Sequence, residues 1–216
     1  MATQTPLEET LPKRITAGLL RVGTALRSHA WEGAALAGLT PTQGEILTLL
    51  LSRSVPMRLG EIAADAALTS ATVSEAVSTL ETKGLVEKRR DANDGRALAL
   101  RLTARGKTAA KRASQWPDFL TVASDALGDK ERVQLYRTMV KLIYSMQGRG
   151  DVPPQRMCLS CAHFEPASGT RGAAAQHHCN YYKINYDDSG LRLDCAGHEE
   201  ADMATQRKVW KIFNKS

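Results

Sequence analysis

The sequence predicts a mainly α-helical chain with one small β-hairpin and an appended cysteine-rich segment. Three observations predict it. Apolar residues recur at helical spacing through most of residues 7–147. Two extended runs, "LVEKRR" and "ALALRL", flank "DANDG", whose Asp-Gly step marks a tight turn. All four cysteines, with four of the five histidines, fall between residues 158 and 198.

The elements follow in order. Residues 7–30 place Leu11, Ile15, Leu19, Val22 and Leu26 on one helical stripe. "PTQGEILTLLL" fits a second helix, with Thr40 as N-cap and Pro41 at its first position. "MRLGEIAADAAL" fits a short third helix. "TSATVSEAVSTLETKGL" fits a fourth, capped by Thr69 or Ser70 and stopped by Gly84. In the hairpin Leu98, Leu100 and Leu102 alternate, as a half-buried strand requires. Residues 104–126 and 129–147 return to helix. The latter carries two neighbouring apolar stripes, Val133, Tyr136, Val140, Ile143 and Leu135, Met139, Leu142, Met146. So wide a surface predicts burial against a second chain as well as its own. "QGRGDVPP" breaks the helix and leads into the cysteine segment. "ADMATQRKVWKIFNKS" fits a terminal amphipathic helix with Met203, Trp210 and Phe213 on one side.

The net charge of +6 is uneven: +6 on residues 1–150, −3 on 151–200 and +3 on 201–216. A basic body suits a polyanionic partner, and an acidic cysteine-bearing segment suits a separate task. Charge alone does not separate this from an ordinary basic protein. No apolar run reaches the roughly 18 residues of a membrane span, and the N-terminus has no signal-peptide pattern. The chain is expected to be cytoplasmic, where clustered cysteines point to metal or redox chemistry rather than structural disulfides.

Helix, short helix, helix and a basic hairpin is the order of a winged helix-turn-helix. On the fourth helix Val73, Ala76, Val77 and Leu80 share an inward face. Ser70, Ala71, Thr72, Ser74, Glu75 and Ser78 lie outward with Thr79. Side chains this short let a helix approach the major-groove floor. Lys83, Lys88, Arg89, Arg90, Arg96 and Arg101 lie within residues 83–101. Arg96 is at the tip, placed for a minor groove or a phosphate, while Arg101 is expected on the strand's solvent side. A solvated basic face is the plainer reading of such a hairpin, weakened by its position directly after a helix-turn-helix.

Over residues 10–148 the sequence resembles the MarR family of transcriptional regulators. "LVEKRRDANDGRALALRLTARGK" looks like that family's wing, with Asp91, Asp94, Arg96, Leu102, Thr103 and Gly106 at the matching places. "LTPTQGEILTLL" and "LTSATVSEAVSTLETKGLVEKR" resemble its second and recognition helices. The resemblance implies a two-fold homodimer joined through its terminal helices, with two recognition helices in successive major grooves of a pseudo-palindromic DNA duplex. It implies that Asp94 positions Arg96. One departure is that residues 70–79 carry no outward Arg or Lys, so base readout would rest on Ser, Thr and Glu75. The expected organisation is an N-terminal dimerisation helix (1–38), a winged helix-turn-helix (39–104), C-terminal dimerisation helices (105–150), and a cysteine-rich metal-binding segment with a terminal helix (151–216).

Cys158, Cys161, Cys179 and Cys195 follow the pattern C-x2-C-x17-C-x15-C. A C-x-x-C pair brings two thiolates to one centre from a single turn. Three readings stay open. The favoured one is an iron–sulfur cluster on all four cysteines, since the spacing resembles the cluster loop of high-potential iron–sulfur proteins, with Phe164 after the pair and Gly190 before the last cysteine. The second is structural zinc, with His177, His178 or His198 as alternative ligands, "CAGH" serving as a second knuckle. The third is metal-free thiol switching. Tyr181, Tyr182 and Tyr186 fit a sheltered cluster and a zinc-stapled core equally well. His163 reads as a bystander.

The combined expectation is a DNA-binding regulator, most simply a repressor, whose operator affinity is tuned by the cysteine site. The resemblance also implies a rival sensor, of a small aromatic acid bound among the first, second and fifth helices, with the metal site purely structural. An iron–sulfur electron-transfer protein is the distant alternative. No catalytic nucleophile–base constellation stands out, so no enzyme is expected.

Overall fold

The structure is a computed structural model and describes residues 9–53, 55–90, 98–167 and 176–215. In chain order the elements are α1 (Leu11–Ala37), α2 (Pro41–Ser52), β1 (Met57–Arg58), α3 (Leu59–Asp65), α4 (Ser70–Thr82), β2 (Val86–Arg90), β3 (Leu98–Leu102), α5 (Ala104–Ala113), α6 (Asp118–Ser124), α7 (Asp129–Arg149), β4 (Phe164–Glu165), β5 (His177–Cys179), β6 (Ile184–Tyr186) and α8 (Met203–Phe213). They divide between two compact units. One comprises Met1–Ser52, Pro56–Arg58 and Ala71–Ala123. The other comprises Arg53–Val55, Leu59–Ser70 and Ser124–Ser216.

In the first unit a three-stranded antiparallel sheet of order β1-β3-β2 carries the hairpin. Val86 pairs with Leu102 and Arg90 with Leu98, and β1 adds Met57 against Leu100. The sequence reading missed β1, because two residues carry no periodicity. The expected alternation of β3 fails at its tip. Leu98 is exposed, while Ala99, Leu100 and Leu102 are buried. Thr40 and Gln43 cap α2 reciprocally: each backbone N–H donates to the other's side chain at 3.2 Å. Gly84, at φ +67, ends α4 in the left-handed region that favours glycine.

The helix expected over 104–126 is two helices. Pro117 cannot continue α5, and Trp116 beside it is wedged against glycine notches. A Cβ on Gly33 or Gly44 would lie 2.4 or 2.2 Å from its indole. Gly106 is fixed as tightly, because a Cβ there would lie 1.8 Å from the Leu85 carbonyl oxygen. Thr103 completes this junction. Its N–H donates to Leu85 O at 3.1 Å, and its hydroxyl oxygen accepts from Gly106 N at 3.0 Å. The Leu-Thr-x-x-Gly motif is therefore the joint between wing and α5.

In the second unit α7 supplies Val140, with Tyr136, Ile143 and Tyr144 beside it, to a core of Met157, Cys158, Leu159, Cys161, Phe164, Leu191, Val209 and Phe213. One of the two apolar stripes of α7 is thus covered by its own cysteine-rich segment. The other leaves Leu135, Met139 and Leu142 exposed. That segment contains an unforeseen antiparallel sheet, β4-β5-β6. Arg137 clamps it to α7: its guanidinium pairs with Asp188, donates to Phe213 O at 2.5 Å and lies 4.0 Å over the Phe213 ring. The amphipathic α8 buries Gln206, Val209 and Phe213. Met203, expected on that face, is exposed instead, because it sits one residue after the N-cap Asp202 at the helix's open end.

Among the described residues no helix is long and apolar enough to cross a membrane.

Candidate nucleic-acid interface and cysteine site

The face assignment of α4 holds residue by residue. Val73, Ala76, Val77 and Leu80 are buried. Ser70, Ala71, Thr72, Ser74, Glu75 and Ser78 are exposed, and Thr79 is half-buried. The outer face is therefore small, polar and free of cationic side chains.

On the wing Lys88, Arg89, Arg90 and Arg101 are exposed. Glu87 draws Arg101 and, at 3.4 Å, Arg89. The hydrogen bond from Arg101 is the largest influence holding its carboxyl below the usual range. Lys88 pairs with Glu81 at 2.8 Å. Lys83 faces elsewhere than the sequence reading placed it: its ammonium donates to Gly38 O at 2.5 Å and to Gln43 Oε1 at 3.3 Å, capping the C-terminus of α1. Asp91, Asp94 and Arg96 lie outside the described residues.

Cys158, Cys161, Cys179 and Cys195 all line one cavity, together with Met157, Phe164, Ile184 and Tyr186. Local folding brings them there. A 3-10 turn over Cys158–Ser160 presents the first pair, with Cys161 N–H donating to Cys158 O at 3.0 Å. The sheet delivers Cys179, which sits opposite Phe164 on β4 and Ile184 on β6. Cys195 N–H donates to Arg156 O, and Cys158 N–H to Arg192 O, both at 3.0 Å, which knits the two chain segments together. The cysteines are free thiols, and all but Cys179 are buried.

Polar groups of Arg192 and Tyr186 reach two of the sulfurs. Arg192 N–H lies 3.3 Å from Cys158 Sγ, and the Tyr186 hydroxyl lies 3.5 Å from it. Arg192 Nη1 lies 3.8 Å from Cys195 Sγ, with its guanidinium 4.6 Å over the Tyr182 ring. Burial pushes the Cys158 thiol up, and these two hydrogen bonds oppose that shift. Burial, then the Cys158 contact, pushes the Tyr186 hydroxyl well above the ordinary tyrosine range. Arg192 and Tyr186 were not legible as sulfur partners in the sequence; their distances in chain from Cys158 carry no motif.

The histidines are engaged elsewhere. His177 Nδ1 accepts from Ala167 N–H at 3.0 Å, and its Nε2 faces Asp188 at 3.0 Å. His178 Nδ1 meets Asn185 Oδ1 at 2.6 Å, and His198 Nε2 meets the Ser160 hydroxyl at 3.0 Å. None of these three lines the cysteine cavity; His163, read from the sequence as a bystander, does line it and lies 3.1 Å from Glu199. Among the described residues no group of three or more His, Cys, Asp or Glu side chains is arranged to hold a metal ion.

A second cavity lies wholly in the first unit. It holds about 720 Å³ and is lined from α1 by Leu26, Arg27 and Ala30, from α2 by Gly44, Glu45 and Thr48, and by Trp116.

Comparison with known proteins gives a consistent assignment. The MarR family model matches residues 39–98. The HTH-type transcriptional repressor Rv2887 of Mycobacterium tuberculosis (strain H37Rv) is 38% identical over 96 residues, 44% of this chain and 68% of that protein. The HTH-type transcriptional repressor Mb2911 of Mycobacterium bovis matches equally. Among solved structures, the Staphylococcus aureus MepR–DNA complex has a TM-score of 0.54 at 22% identity, covering 64% of this chain and 99% of that one. CouR of Rhodococcus jostii RHA1 bound to p-coumaroyl-CoA has a TM-score of 0.53 at 21% identity, covering 62% and 95%. At these identities the likeness is one of fold. The family model ends at residue 98, before the cysteine segment begins.

Proposed function

Because this chain belongs to the MarR family of transcriptional regulators, we propose that it is a homodimeric repressor that binds a pseudo-palindromic operator, with an affinity set by its four-cysteine site. The observation that carries the second half is the convergence of all four cysteines on one cavity. That cavity lies in the same compact unit as α7.

The DNA-binding half rests on family membership and on α4. Its outer residues Ala71, Thr72, Ser74, Glu75 and Ser78 are short enough to reach base edges, while the exposed Lys88, Arg89 and Arg90 meet phosphates. The exposed apolar stripe of α1, with Leu11, Ile15 and Leu19, and that of α7, with Leu135, Met139 and Leu142, suit a dimer interface. Two-fold symmetry would then set two α4 helices about 34 Å apart, one turn of duplex.

The cysteine site fits an iron–sulfur cluster. It has four thiols, apolar walls, a backbone N–H donated to Cys158 and the Tyr186 hydroxyl in contact with it, which is the environment that such clusters take from proteins. Structural zinc is the alternative occupant, needing four ligands each about 2.0–2.3 Å from one point. A bound cluster would supply a charge state that changes with oxidant or iron supply. The protein's own part is done by Cys158 and Cys161, which sit in the core that covers α7. Their positions govern how that core packs, and through α7 how two protomers meet. A change of an ångström or two in α4 spacing is enough to lower operator affinity.

Replacing Cys158 and Cys161 by Ser tests this. The expected result is an operator affinity that no longer responds to oxidant. An unchanged oxidant response in the double variant rejects the reading.

A second reading has its own observation. The 720 Å³ cavity is within the range that small ligands occupy, and Arg27 at its wall suits an acid. Quenching of Trp116 fluorescence by 4-hydroxyphenylacetate, lost in a Trp116→Phe variant, would favour small-molecule sensing.

A further inference from the structure

We infer that an ion-pair chain from Asp194 through Arg53 to Asp65 carries the state of the cysteine site to the helix-turn-helix. This rests on reading the cysteines as one responsive site.

Asp194 immediately precedes Cys195. Its carboxylate accepts from Arg156 Nε at 2.7 Å and from Arg53 Nη1 at 2.9 Å. Arg53 reaches on with its other nitrogen to Asp65. Four charges of alternating sign therefore form a chain, Arg156–Asp194–Arg53–Asp65, inside the second compact unit. Arg156 stands two residues before Cys158, and its carbonyl accepts from Cys195 N–H. Both ends of the cysteine pattern thus sit on the backbone that holds Asp194.

The other end is in the DNA-binding region. Arg53 follows the last residue of α2, and Asp65 is the last residue of α3. The chain then turns through Ala67, at φ +53, into α4 at Ser70. Leu68 N–H donates to Ala63 O at 2.9 Å, so this turn moves with α3. The Arg53 side chain is 13% exposed, against 31% for Asp65 and 43% for Asp194, so solvent screens the Asp194 end of the chain more than the Asp65 end. A shift of Cys195 displaces Asp194. Arg53 must then follow it or lose it, and either result re-places the end of α3 from which α4 starts. The sequence gives no hint of this, since Arg53 and Asp194 lie 141 positions apart.

Charge exchange tests the link. Full-length wild type, Arg53→Asp, Asp194→Arg and the double exchange would be purified anaerobically. Iron and sulfide would be measured, and affinity for a duplex selected by the wild type from a random pool would be read before and after peroxide. Asp194→Asn serves as a milder variant if either single exchange fails to fold. The expected result is that each single variant keeps its iron and sulfide yet binds roughly 5–10-fold more weakly than the reduced wild type, with its two affinities within about twofold. The double exchange restores both affinity and response. Singles that match the wild type in affinity and in response overturn the link. A wild type without iron or sulfide rejects the cluster reading instead. The link is then still decided by whether the singles bind more weakly and the exchange rescues them.

Discussion

Arg137 attaches the cysteine segment to α7, and replacing it by Met isolates that attachment. Met keeps an apolar stem of similar length and removes the guanidinium. Two charge-assisted bonds disappear, one to Asp188 and one to Phe213 O. A hydrogen bond to a charged group contributes about 1.5–3 kcal/mol, and the abandoned Phe213 carbonyl costs about 1–3 kcal/mol if it stays buried. The guanidinium over the Phe213 ring adds about 1 kcal/mol. Against this, Asp188 is a quarter exposed and keeps His177 at 3.0 Å, so part of its charge is satisfied by that histidine and by water. Arg137 itself no longer has to be desolvated. The net expectation is a loss of about 3 kcal/mol, or roughly 100-fold in the local opening equilibrium. Amide hydrogen exchange of α8 and of β5, compared between variant and wild type, reads it directly. Protection reduced less than about fivefold would refute the reasoning, because the clamp would then contribute no more than an ordinary surface contact.

Three further outcomes are expected. Gly106→Ala should cost about 3 kcal/mol in urea unfolding, since its Cβ would meet the Leu85 carbonyl and break the Thr103 cap; a loss under 1 kcal/mol would show that α5 yields freely. Arg90→Gln should weaken binding to all duplexes alike and lower the salt slope by about 0.9, and an altered operator preference would mean that Arg90 reads bases. Burial raises the Glu45 carboxyl above its usual range, so its ionised form opposes folding above that range and the cost vanishes once both states are protonated. Glu45→Gln should therefore raise the melting temperature at pH 7 and leave it unchanged near pH 3; a gain at both would point to packing instead.

The DNA-binding half was legible because its signals are local. Thr40 and Gln43 cap within four residues, Gly84 stops α4, and the inward positions of α4 obey one period. The Leu-Thr-x-x-Gly motif encodes a close approach that only glycine permits. The features missed share the opposite property. β1 is two residues long and exists only by pairing with β3. The β4-β5-β6 sheet is built from runs too short to alternate. Arg192, Tyr186 and the Arg53–Asp194 pair meet across 28 to 141 positions, and nothing in their neighbours announces it. The cysteine spacing led to the expectation of one shared site, and the four do line one cavity, but it did not show that histidines 177, 178 and 198 would be bound elsewhere, since which side chains share a cavity is settled by the fold of the loops between them.

The central claim is that the four cysteines hold a responsive iron–sulfur centre on a DNA-binding dimer. Protein purified without air gives the most direct test, by its visible absorption and its iron, sulfide and zinc content per chain. The expected result is a brown protein with iron and sulfide in equal amounts, bleached by oxidant in step with a change in operator affinity. A colourless protein with one zinc per chain, binding its operator equally before and after oxidant, would contradict it.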